Sequence, residues 1–131
     1  MSQENVERIR SMLARTASGD FDFPIEDFAD DFEFVTSPEV PDAGTYRGEE
    51  ARQWNEAWIA SFDDLTIEAV EIRNAGDKVF VEILQRGRPR GSNTEVEGRW
   101  WQVVTFRAGK IARSELFPDR TQALDSAGLR E

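Results

Sequence analysis

The sequence predicts an α+β domain in which a cone-shaped, curved antiparallel sheet wraps around helices from the N-terminal half of the chain. Helical patterning dominates as far as Phe62, and strand patterning runs from Leu65 to Phe117. Helices first and a long meander last is the order of an α+β chain, not of an alternating α/β one. The run Trp100-Trp101-Gln102-Val103-Val104-Thr105-Phe106 is apolar and aromatic almost without a break, between segments that alternate polar and apolar. A strand that greasy is covered on both faces, so the sheet carries a layer on each side. The chain's own helices supply one layer, and a second copy of the chain is the simplest supplier of the other. At 131 residues the chain forms one domain, 1–131, long enough to bury about two thirds of its unfolded surface.

The elements follow in order. A first helix runs from Glu4 to Ala17, with Val6, Ile9 and Leu13 at helical spacing and Gly19 just past its end. A short second helix starts at Pro24, suited to a first helical position, with Glu26 and Asp27 near its positive end. Phe32, Phe34 and Thr36 alternate as a strand, and Ser37 to Thr45, with two prolines and a glycine, reads as a loop. Glu49 and Glu50 open a third helix, where Ala51, Trp54, Trp58 and Ser61 share a face. After the meander, Asp119 caps a last short helix, with Gln122 three residues on and Gly128 as terminator.

Turn chemistry assigns the faces of the meander. Ala108-Gly109 makes a two-residue hairpin turn. Counting back from it sets Phe106 opposite Ile111, Val104 opposite Arg113, Gln102 opposite Glu115 and Trp100 opposite Phe117. Opposite residues project from one face, and a hairpin loop near Pro89 to Ser92 adds Val79, Val81 and Ile83 to it. The other face then carries Phe80, Leu84, Trp101, Val103 and Thr105, too apolar to stay wet. A slip of one residue would exchange the faces. In that alternative phase Ala112, Ser114 and Leu116 line the cavity, and Arg113 and Glu115 are exposed.

Composition narrows the chemistry. A formal charge of −10 disfavours nucleic acid and anionic membrane as partners. No apolar run approaches about 18 residues and the first residues carry no signal pattern, so a cytoplasmic location is expected. With no cysteine, disulfides and thiolate chemistry are excluded; with no histidine, so are Ser-His and Cys-His mechanisms and the usual zinc and iron sites. An acid or base here is a carboxylate, Tyr46, Lys78, Lys110, the amino terminus or water. Neither a cofactor nor a metal is expected.

Several segments together carry a family resemblance. They are Asp42-Ala43-Gly44-Thr45-Tyr46-Arg47-Gly48, the helix with Trp54 and Trp58, and the ending from Gly109-Lys110-Ile111 through Asp119-Arg120-Thr121-Gln122-Ala123-Leu124 to Ala127-Gly128-Leu129. The chain resembles the SnoaL-like branch of the nuclear transport factor 2-like superfamily over almost its whole length. The resemblance implies a cone-shaped cavity enclosed by the sheet. It is poor for function, because that superfamily holds isomerases, cyclases, dehydratases, epoxide hydrolases and members with no known catalysis. In such relatives a histidine often stands at the position of Gln102 and a tyrosine at that of Phe117, so both departures remove titratable groups.

Candidate site residues follow from the faces. Glu115, desolvated inside an apolar cone, would have a raised pKa and serve as general base, while Arg113 beside it works in the other direction. Arg113 and Gln102 would orient a water or an oxygen, and Tyr46 would donate a hydrogen bond to a developing enolate, as ketosteroid isomerases of similar fold do. Trp54, Trp58, Val81, Trp100 and Val104 would line the pocket and suit a small hydrophobic ligand. The bland readings are a salt bridge for Arg113 and Glu115, a core-closing ring for Tyr46 and core packing for the tryptophans. Arg86 to Ser92 reads as a solvated hairpin end, and Asp30-Asp31 and Asp63-Asp64 as solvated turns. Three functions remain open: a cofactor-free enzyme acting on a hydrophobic carbonyl or epoxide compound, a non-catalytic ligand-binding pocket, and a dimerisation scaffold whose greasy outer face is its purpose.

Overall fold

The computed structural model describes residues 2–19, 25–36 and 44–130. The expected Pro24 helix start and most of the 37–45 loop lie outside them. Helix α1 spans Ser2–Ala17, and a single 3₁₀ turn, Ile25–Asp27, leads into β1, Phe28–Thr36. A short β2, Thr45–Arg47, precedes α2, Glu49–Ala60. Four long strands follow, β3 (Phe62–Ala75), β4 (Lys78–Pro89), β5 (Val96–Arg107) and β6 (Lys110–Phe117), before α3, Arg120–Ala127.

The six strands form one curved, unclosed sheet in the order β2-β1-β6-β5-β4-β3. Every pairing is antiparallel except β1 with β6, which is parallel. That pair is the one exception in the curved, otherwise antiparallel sheet that the sequence predicts. Strands β1 and β6 are separated in sequence by α2 and the meander, and so long a connection permits parallel pairing where a tight hairpin cannot.

Helices α1 and α2 occupy the inner face. The inner core joins Val6 and Ile9 of α1, Phe32 and Phe34 of β1, and Ala51 of α2 to Val79, Val81, Ile83, Val104, Phe106 and Ile111 of the meander. On the outer face Phe80 and Val103, both fully buried, pack against Ala123, Leu124 and Ala127 of α3. The chain thus covers two of the outer-face residues, Phe80 and Val103, with its own last helix. The strand most fully covered on both faces is β4, buried at every residue from Val79 to Gln85. In β5, Trp100, Trp101 and Gln102 are only half-buried.

Helix α3 is held in place by its ends. Asp119 accepts a hydrogen bond from the Thr121 amide at 2.8 Å, and Gly128 closes the helix at φ 74° with its amide donating to the Asp125 carbonyl. Among the described residues no helix is long and apolar enough to cross a membrane.

One local event decides which face the site residues take. Ala108 and Gly109 form the expected tight turn, with φ 52° and 80°, and Phe106 pairs with Ile111 as counted from it. The next pair is Thr105 with Arg113, so β6 has advanced two residues while β5 advanced one. Ala112 is the extra residue of a β-bulge, and beyond it every β6 side chain changes face. Val104 therefore lies opposite Ser114 and Gln102 opposite Leu116, while Glu115 lies opposite Val103 and Phe117 opposite Trp101.

Candidate functional site

Between the inner face and the two helices the structure leaves a partly open chamber of about 230 Å³. Its aromatic wall follows from helix geometry, since Trp54 and Trp58 are one turn apart on α2 and project together. Their indoles are nearly parallel, with centroids 5.7 Å apart and planes 4° apart. Trp100 of β5 meets Trp58 edge-on at 6.2 Å, and Phe34 packs on Trp54 at 4.8 Å. Ile9, Met12 and Leu13 of α1 also line the chamber.

Few polar groups reach the chamber. The Gln102 Nε2 donates to Ser114 Oγ at 2.9 Å, and the Trp58 Nε1–H donates to Gln85 Oε1 at 3.0 Å. Asn55 of α2 and Thr16 of α1 also reach the wall, and the Thr16 hydroxyl is committed to the Met12 carbonyl at 3.1 Å. Among the described residues that line the chamber there is no Asp, Glu, Lys, Arg or Tyr. With histidine absent from the chain, this wall presents hydrogen bonds and apolar area but no group that exchanges a proton near neutrality.

Of the expected site residues, Trp54, Trp58, Trp100, Gln102 and Val104 line the chamber. Val81 faces inward but lies in the packed core, 1% exposed, and does not reach the chamber wall. Tyr46 shares the inner face with Phe34 and packs on Trp54 at 6.0 Å, also without lining the chamber. Arg113 and Glu115 require the largest correction: the Ala112 bulge turns both to the outer face. There Glu115 accepts from the Ser126 hydroxyl at 2.9 Å and pairs with Arg113 at 3.6 Å, and Arg113 also approaches Glu33 at 4.0 Å. They tie α3 and β1 to β6, and neither touches the chamber.

Among the polar lining residues that the sequence reading did not place in the pocket are Gln85 and Ser114. Gln85 continues the inward series Val79, Val81, Ile83, and a lone polar residue at an inward phase was the available signal. Ser114 was legible only in the alternative strand phase. The basic loop is internally occupied: Arg86 pairs with Glu97 at 2.7 Å, Arg88 with Asp64, and Arg90 Nε donates to the Ala60 carbonyl at 2.8 Å. Asp31 is engaged by Arg107.

The outer face carries the most buried charge in this part of the sheet. Glu82, with its side chain 11% exposed, accepts from Arg99 at 2.6 Å and from Arg120 of α3 at 2.8 Å. Arg120 also bonds Glu71 at 3.0 Å and lies 5.4 Å over the Phe80 ring. Burial alone would push the Glu82 carboxyl up. The Arg99 hydrogen bond, the nearby Trp101 indole N–H and the charges of Arg99 and Arg120 outweigh it and hold the carboxyl below its ordinary value.

A curved sheet enclosing a chamber over two helices defines the nuclear transport factor 2-like class of α+β proteins. Within that class the chain belongs to the SnoaL-like domain family, which it matches over residues 9–114. A nuclear transport factor 2-like protein from Burkholderia xenovorans is 28% identical, with 97% of each chain covered and a TM-score of 0.69. A protein from Jannaschia sp., named as a SnoaL-like polyketide cyclase, is 17% identical over 96% of this chain and 92% of that one, TM-score 0.74. A protein with a ketosteroid isomerase-like fold from Catenulispora acidiphila, solved with trimethylamine, is 21% identical over 80% of this chain and 79% of that one, TM-score 0.62. No curated protein matches the chain.

Proposed function

We propose that this protein binds a small, neutral, largely apolar molecule in the inner chamber and does not act on it by carboxylate acid–base chemistry. One observation carries the reading. The chamber of about 230 Å³ is walled by indoles and aliphatic side chains with a few carboxamide and hydroxyl groups, and no ionisable side chain lines it among the described residues. Such a wall gains free energy from apolar contact and sets orientation through hydrogen bonds. A carboxylate tied to Ser126 and Arg113 across the sheet cannot take a proton from a molecule inside. Among structures of the same fold, one was solved with trimethylamine and one is named as a SnoaL-like polyketide cyclase, which accords with a small-molecule ligand.

The test is a fluorescence titration, since Trp54, Trp58 and Trp100 all report on the chamber. Apolar ligands should shift the emission, and Ser114→Leu, which places added bulk in the chamber, should weaken binding at least about ten-fold while the fold persists. Turnover of a carbonyl or epoxide compound that disappears in Glu115→Gln would overturn the reading.

A homodimer through the outer face remains a second proposal. Its support is now restricted to the half-buried Trp101 and Phe117 at the border of α3. Sedimentation equilibrium at micromolar concentration should give twice the chain mass, and a single-chain mass across that range would end it.

A further inference from the structure

We infer that Gln85 is the specificity-determining donor of the chamber, and that the ligand it selects is a neutral molecule of about fused-bicycle size carrying a hydrogen-bond acceptor such as a ketone or lactone oxygen. The inference rests on the binding reading above and deepens it. An indole nitrogen can only donate, so the 3.0 Å bond from Trp58 Nε1 fixes which end of the Gln85 carboxamide is oxygen. The Nε2 end, with two hydrogens, then has no acceptor among the described residues, although Gln85 is only 7% exposed. Gln85 lines the chamber, so that nitrogen is available to an acceptor held there.

The surroundings say what that acceptor belongs to. Gln85 pairs across the ladder with Gly98, which has no side chain, and a Cβ there would stand 3.2 Å from the Trp100 indole nitrogen. The Trp100 indole thus lies over the place opposite Gln85, where it meets Trp58 edge-on and adds aromatic surface beside the amide. No cation lines the chamber among the described residues, and the chain carries a formal charge of −10, so an anionic acceptor is disfavoured. Size follows from volume. An apolar cavity of roughly 150 Å³ takes benzene, and in proportion this one, at about 230 Å³, encloses about nine non-hydrogen atoms, close to a fused bicycle.

The experiment compares three probes by isothermal titration: coumarin (a neutral bicyclic lactone), naphthalene (similar in size, with no acceptor) and 2-naphthoate (an anion). Coumarin should bind about ten-fold tighter than naphthalene, the order expected of one added hydrogen bond. The anion should bind weakest. Gln85→Leu should erase the preference for coumarin. Gln85→Glu still accepts from Trp58 but, when ionised, has no hydrogen to give. Its coumarin affinity should be low at mildly alkaline pH and recover as acidification restores an O–H donor, with burial raising the pKa of that carboxyl. A residue that merely positioned Trp58 would show no such recovery. Equal binding of coumarin and naphthalene to the unaltered protein would overturn the role of Gln85 while leaving the chamber as a binding site, and that comparison needs no variant. A tighter fit for 2-naphthoate would overturn the neutral ligand. Failure of all three probes to bind would overturn the binding reading itself.

Discussion

Replacing Glu82 by Gln tests whether the outer face is held by charge as well as by packing. The substitution keeps the side chain's shape and removes its charge, leaving Arg99 and Arg120 facing a neutral amide. Breaking a fully buried ion pair costs about 3–5 kcal/mol, whereas an exposed pair is worth about 0–1 kcal/mol. Glu82 is at the buried end of that range, with 11% of its side chain exposed, but Arg99 is 45% exposed and Arg120 31%, so both partners partly rehydrate. The structure therefore sets the loss near about 2 kcal/mol, a fall of roughly 6–8 °C in midpoint for a domain of this size. The pH dependence has a definite sign. Because the folded carboxyl titrates below its ordinary value of 4.5, its contribution is fully present above 4.5 and is lost as pH falls through the folded value. Urea unfolding of the two proteins should show the full gap near neutral pH and a shrinking gap as the solution is acidified below 4.5. A gap under about 0.5 kcal/mol at neutral pH, or one that stays constant into acid, would refute the reasoning.

Other substitutions probe the remaining supports. Phe80→Ala empties a fully buried position beneath α3 and should cost about 3–5 kcal/mol; faster hydrogen exchange at Ala123 and Leu124 would show that α3 loosens first, and unchanged exchange there would count against its role as cover. Asp119→Ala removes the α3 cap and should lower stability by about 1 kcal/mol, read from chemical denaturation. Ala108→Asn relieves a non-glycine residue at φ 52° in a tight turn and should stabilise by about 0.5–1 kcal/mol, seen as a higher unfolding midpoint; a lower midpoint would contradict the turn geometry.

Much of the architecture was legible along the chain, because the relevant signals are local. Periodicity located α1, α2 and the meander, Asp119 and Gly128 marked the ends of α3, and Ala108-Gly109 gave the turn from which faces could be counted. The shared inward face of Gln102 and Val104 with Val79, Val81 and Ile83, the last three placed by a loop near Pro89 to Ser92, holds in the structure. The same count failed for β6 one step beyond Ile111. Side chains in a strand alternate with period two, so face information travels along a ladder only while the ladder is unbroken. Nothing about Ala112 as a residue marks a bulge. Its place is resolved only where β6 pairs on both edges, with β5 on one side and β1 on the other. That single extra residue moved Glu115 and Arg113 out of the chamber and brought Ser114 and Leu116 into it. The covering of Phe80 by α3 is likewise a contact between segments far apart in the chain. Local patterns thus specify the helices, the strands and their turns, whereas the side of the sheet a charge ends on, and what covers it, depend on neighbours that only the assembled fold supplies.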